Sequence, residues 1–158
     1  MTELIEAIKT GEKSQVEALL QGNADVNEKD ADGLTALTAA AESGNLELVQ
    51  LLLAAGAEAN NADNDGRTAL MSAAGSGKVA VVEALIAAGA DINAQSEFGV
   101  TALITAAGNG QGEVVQCLID RGADIRAQDR NKWTALVWAA EEGHPKIVDL
   151  IKQARDRT

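Results

Sequence analysis

Several clusters in the chain have the residue types of a reactive site, and each fails on spacing. Gly75-Ser76-Gly77-Lys78 has the glycines and the lysine of a loop whose backbone N–H groups and ammonium cradle phosphate. The glycine required five residues before Gly77 is Ser72, and Val79 replaces the hydroxyl that would hold magnesium. Asn61-x-Asp63-x-Asp65-Gly66 and Glu28-x-Asp30-x-Asp32-Gly33 resemble the opening of a calcium loop. The twelfth place of such a loop needs a bidentate glutamate, and here it is Ser72 or Ala39. The carboxylates read better as turn formers that bond local backbone. His144, the single histidine, stands without a Cys or Ser partner nearby in sequence and reads as a structural hydrogen bonder in a turn. Cys117, the single cysteine, excludes an intrachain disulfide, gives no metal-site spacing and aligns with apolar positions, so a core thiol is expected. No triad, paired acid–base carboxylates or cofactor fingerprint is present. The chain is expected to have no catalytic residues, no cofactor and no metal.

The elements that must position these residues recur every 33 positions. Gly33-Leu-Thr-Ala-Leu returns as Gly66-Arg-Thr-Ala-Leu, Gly99-Val-Thr-Ala-Leu and Lys132-Trp-Thr-Ala-Leu. The pairs Ala40-Ala41, Ala73-Ala74, Ala106-Ala107 and Ala139-Ala140 keep step, as do Gly44, Gly77, Gly110 and Gly143. Gly-Ala-Asp-x-Asn-like tails follow from Gly56, Gly89 and Gly122, and a weaker first copy has Leu4, Gly11 and Ala24 to Asn27 in the matching places. Each period reads as two short helices. Thr35, Thr68, Thr101 and Thr134 sit at the N-cap of the first, where a hydroxyl accepts a free backbone N–H. Leu37, Ala40 and Ala41 share one helical face. The second helix is expected to bury Val49, Leu52 and Leu53 and their equivalents. Gly56, Gly89 and Gly122, with Asn23 in the first copy, are expected as left-handed caps. No unit is long enough to bury its own apolar face, so stacking must supply the core.

Composition narrows the class. The chain has 158 residues and 46% hydrophobic content, enough for a buried core. No apolar run reaches the roughly 18 residues of a membrane span. The opening Met-Thr-Glu-Leu-Ile-Glu lacks the basic and apolar parts of a secretory signal, so a cytoplasmic location is expected. The formal charge is −11. Residues 1–120 carry 18 acids and 5 bases, net −13; residues 121–158 carry 6 acids and 8 bases, net +2. An acidic body repels nucleic acid and anionic lipid and steers a partner with a basic patch toward it, besides keeping the protein soluble.

This pattern resembles the ankyrin repeat over nearly the whole chain, with a capping copy at 1–29, full copies at 30–62, 63–95 and 96–128, and a closing copy at 129–158. The resemblance implies an all-α solenoid of stacked helix-turn-helix units with projecting β-hairpin loops. It implies a non-enzymatic protein-interaction module that docks partners on the loop tips and the concave face of the first helices. Carried onto this sequence, those positions include Asp32, Leu34, Asp65, Arg67, Glu97, Phe98, Val100, Asn109, Arg130, Trp133, Trp138 and Glu141. Gln15 and Lys152 stand where apolar residues stand in inner copies, which implies polar ends and a monomer. The chain departs from the family in three ways. Ala36, Ala69, Ala102 and Ala135 replace the usual proline, so rigidity is expected to fall. Thr38, Met71, Ile104 and Val137 replace the histidine that ties the loops together. Lys132 replaces a turn glycine, which costs on the order of 1 kcal/mol if its φ is positive.

Phe98, Trp133 and Trp138 are the chain's three aromatics, and all are expected to cluster on one surface over the last two copies. Such a patch anchors a partner if its rings are exposed together, or shields the C-terminal edge if they are not. The alternative to a natural interaction module is an engineered or reconstructed scaffold without a natural partner.

Overall fold

A computed structural model describes residues 2–158, and among these it has ten helices arranged as five pairs. The first members are α1 (Glu3–Thr10), α3 (Ala36–Ser43), α5 (Ala69–Gly75), α7 (Ala102–Gly108) and α9 (Ala135–Glu141). The second members are α2 (Lys13–Gln21), α4 (Leu46–Ala54), α6 (Val79–Ala87), α8 (Gly112–Asp120) and α10 (Pro145–Asp156). The first helices stack α1 on α3 on α5 on α7 on α9, and α4, α6, α8 and α10 stack behind them. Between pairs the chain turns out into tips that are almost strandless: the isolated antiparallel bridge is Ala62 with Thr68.

Local chemistry sets each boundary. The hydroxyls of Thr35, Thr68, Thr101 and Thr134 accept the N–H three residues on, as expected of N-caps. Thr2, which also stands 33 residues before Thr35, does the same for α1. Asn23 has φ 64°, and Gly56, Gly89 and Gly122 have φ between 89° and 94°, so all four are left-handed. Pro145 opens α10 at the first turn, where its missing N–H costs nothing.

The core follows the repeat. Ala40, Ala41, Ala73, Ala74, Ala106 and Ala107 are completely buried, so the small side chains let the first helices approach closely. In the second helices the pattern differs from the expected one. Leu48, Val49 and Leu52 are buried, with Val81, Val82, Leu85 and Val114, Val115, Leu118 in the same places; Leu53, Ile86 and Ile119 are only half-buried. The outer helices expose their backs, so their buried stripe is narrow and leaves the fifth position at its edge. Cys117 is likewise half-buried against the core, alongside Leu51 and Ala84 at the equivalent places, and is not a fully enclosed core thiol.

Two ladders tie each copy to the next. At the tips, the N–H groups of Asn64, Glu97 and Arg130 donate to the carbonyls of Asp32, Asp65 and Phe98 at 2.9–3.0 Å. Deeper in, the side chains of Asn27 and Asn60 each bracket the following copy: the oxygens accept from Glu58 and Asp91 N–H, and the amides donate to Gly56 and Gly89 carbonyls. Asn93 continues with a bond from Asp124 N–H. These bonds hold the tips in register without the family's histidines. Three of the four positions that replace them serve packing instead: Thr38, Met71 and Ile104 are buried, while Val137 in the last copy is 39% exposed.

The tip ladder explains its glycines and their one replacement. Gly66 has φ +76°, and a Cβ there would stand 3.0 Å from the Glu97 backbone nitrogen; at Gly99 it would stand 3.0 Å from Asp129 Cα. Lys132 occupies the same place with φ 66°. It bears the backbone strain of a left-handed residue. Lys132→Gly should therefore stabilise the protein by about 1 kcal/mol, raising the melting temperature by roughly 2–4 °C. Gly66→Ala should lower it, because strain and overlap act together. A thermal melt of each variant checks the pair; no gain for Lys132→Gly would contradict the strain.

Candidate functional site

The tips are built by one side chain each. Asp30 Oδ1 accepts from the N–H groups of Asp32 and Leu34 at 3.0 and 2.9 Å. Asp63 accepts from Asp65 and Arg67, and Asp129 from Asn131 and Trp133. Ser96 Oγ fills the role in the fourth copy, receiving Phe98 and Val100 N–H at 3.2 Å. Asp30, Asp63 and Ser96 are thus spent on their own turns, as the turn-forming reading of the acidic runs expects. Among the described residues no group of three or more His, Cys, Asp or Glu is placed to hold a metal.

With the turns fixed, the neighbouring positions project. Asp32, Asp65, Arg67, Glu97, Phe98, Asn109, Arg130 and Glu141 are exposed; Leu34, Val100, Trp133 and Trp138 are half-buried. Between the third and fourth copies they enclose a groove of 460 Å³. Exposed Asp65, Arg67 and Phe98 line it with buried Met71 and Ser96 and half-buried Val100, together with Thr105 from the middle of α7 and Asn109 at its C-cap. Five of the expected docking residues line it together: Asp65, Arg67, Phe98, Val100 and Asn109. Asn109 also has a framework duty, since its amide donates to the Gly75 carbonyl at 3.1 Å, beside Gln111 at 3.0 Å. Met71 was not singled out as a contact residue. Its place in the loop-tying histidine's column, together with the short side chain at Thr105, is the sequence signal for it.

The aromatics differ in exposure and partners. Phe98 is 54% exposed, and the Arg130 guanidinium lies 5.5 Å from its ring centroid, a cation–π contact. Trp133 and Trp138 meet edge to face with centroids 4.9 Å apart. The indole N–H of Trp138 donates to Asp129 Oδ2 at 2.8 Å, and Asp129 is only 5% exposed. The tryptophan pair is thereby fastened to the last turn, whereas Phe98 presents its ring outward. The second oxygen of Asp129 holds Trp138 by this bond.

The remaining candidates have structural partners. His144 ring nitrogen Nε2 lies 3.1 Å from the Gly108 carbonyl and the ring rests against Gly110. Lys78, the lysine of the phosphate-loop-like run, lays its stem over Gly44. Burial, aided by the nearby Glu83 carboxylate, raises the Cys117 thiol above its ordinary pKa and keeps it protonated at neutral pH.

A linear rack of helix pairs, its tips built by local side chain to backbone bonds, defines a repeat solenoid that displays a surface. The family model for ankyrin repeats in three copies matches residues 4–96 and 88–156. The chain belongs to the ankyrin repeat family, whose members are interaction domains that bind protein partners. No curated protein matches it. No helix among the described residues is long and apolar enough to cross a membrane.

Two outcomes follow from these contacts. Asp129→Ala strips three hydrogen bonds from a buried acceptor and should cost about 2–3 kcal/mol, with tryptophan emission shifting to the red as the pair loosens. Unchanged stability and emission would mean the bond does not hold the pair. Alkylation of Cys117 at pH 7 should be slower than that of a free cysteine and should accelerate as the pH rises.

Proposed function

We propose that this chain is a non-enzymatic, cytoplasmic protein-interaction module whose binding centre is the groove between the third and fourth copies. The observation that carries this reading is the pairing of a 460 Å³ recess with the one largely exposed aromatic, Phe98, in its lining. Exposed aromatics beside a recess are typical anchors of protein interfaces. The recess offers apolar surface from Met71 and Val100, and polar groups from Asp65, Arg67, Ser96 and Asn109. An apolar side chain of the partner fits that surface, and the polar groups select its neighbours.

Charge supports a partner with a basic surface. Asp32, Asp65 and Glu97 stand exposed along successive tips, and residues 1–120 carry net −13. Arg130 and Lys132 close the row with the opposite sign. A partner is therefore steered by its basic part toward the early tips, with Arg130 and Lys132 favouring an acidic residue at the far end. Such a row sets the direction in which a partner lies.

The test is affinity capture from source lysate with the parent chain and with Phe98→Ala, read by mass spectrometry. Proteins captured by the parent should be lost from Phe98→Ala while its melting temperature is unchanged, and capture should weaken at high salt. Equal capture by both chains would contradict the placement of the binding centre.

A further inference from the structure

Comparing equivalent positions down the stack shows which side chains each neighbour covers. Ala36, Ala69, Ala102 and Ala135 are 1% exposed, and Ala39 and Ser72 are buried; in the first copy those columns hold Glu3 and Glu6, both exposed. Leu48, Val81 and Val114 are buried, and Gln15 in that column is exposed. The open face of the first copy is thus acidic and polar. At the other end the comparison runs the opposite way. Ala41, Ala74 and Ala107 are fully buried, and Ala140 is exposed. Thr38, Met71 and Ile104 are buried, and Val137 is 39% exposed. Leu103 and Val115 are buried, and Leu136 and Val148 are only half-buried. Lys152 does not cap this face as the sequence implies. It remains an apolar surface of the kind on which inner copies seat a neighbour, with shallow recesses of 280 Å³ around Ala140 and Val148 and around Leu136.

The glycine series at the inter-helix turns reaches the same end. The side chains of Lys78, Gln111 and His144 lie against Gly44, Gly77 and Gly110 of the preceding copy. Gly143, the next in the series, keeps the same φ of +76° and has nothing within 4 Å of where a Cβ would stand, as is also true of Gly11 in the first copy. The member of the series that the first copy supplies is Glu12. Arg126 and Arg155 line the recess around Leu136 and Asp149 the one around Ala140 and Val148, while Lys132, Lys146, Lys152 and Glu142 of the last copy are exposed. An apolar, mainly basic face at one end therefore meets an acidic one at the other.

We infer that this chain associates head to tail with a second copy of itself: the acidic face of α1 and α2 of one copy covers Leu136, Val137, Ala140 and Val148 of the other, with Glu12 seated over Gly143. The contact runs between helical faces and leaves the groove free, so it stands or falls independently of the proposed partner site. It is heterologous, so it extends into short linear arrays rather than closing as a symmetric dimer.

The experiment uses light scattering on the parent chain, on Val137→Glu/Ala140→Glu and on Glu3→Lys/Glu6→Lys. All four substituted positions are exposed or nearly so, and circular dichroism verifies folding. The parent should exceed the mass of one chain as its concentration rises toward about 1 mM, the weak end of measurable association, and added salt should reduce the effect. In the Val137→Glu/Ala140→Glu variant every chain lacks a receptive tail, so it should remain a single chain, and the Glu3→Lys/Glu6→Lys variant should do so for want of an acidic head. An equal mixture should form a two-chain species and nothing larger, since one intact head meets one intact tail. A parent that stays a single chain throughout, or a mixture that does not pair, would overturn the inference.

Discussion

The structure depends on how closely one copy can approach the next. Short helices of seven to nine residues dominate the stack, and a helix of that length gains little from its own hydrogen bonds. Its stability comes from burying one face on a neighbour. Everything periodic in the sequence serves that approach. Fully buried alanine pairs thin the first helices where they touch. Gly33, Gly66 and Gly99 leave room for the following tip, and Gly44, Gly77 and Gly110 leave room for the following side chain. Asparagine amides then bond across the gap that remains.

The same constraint separates framework from display. A position that touches both neighbours is held to one small or one apolar residue; a position outside the contact is free. Asp30, Asp63, Ser96 and Asp129 are held by the turn, while the residues one and two places further vary. Phe98 stands in that free set and projects beside a recess. Trp133 and Trp138 stand in equivalent free columns, yet Asp129 ties them back to the frame.

Much of this was legible in the sequence, and the failures have physical reasons. The threonine caps, left-handed glycines, positive φ of Lys132 and the helix pairs all follow from local chemistry written at a fixed spacing. Side-chain destinations across copies do not. Nothing local indicates that the second oxygen of Asp129 reaches an indole nine residues away. Leu53, Ile86 and Ile119 satisfy a helical period, but the second helices expose their backs and leave these places at the edge of the buried stripe. Lys152 is polar and exposed, and alone suggests a capped end; only the exposure of Val137 and Ala140 shows the face left open.

Hydrogen exchange of the native protein tests the stacking account most directly. If neighbours stabilise one another, amides of α5 and α7, covered on both sides, should exchange most slowly, and protection should decline toward α1 and α10. Uniform protection across the five pairs, or the slowest exchange at either end, would contradict it.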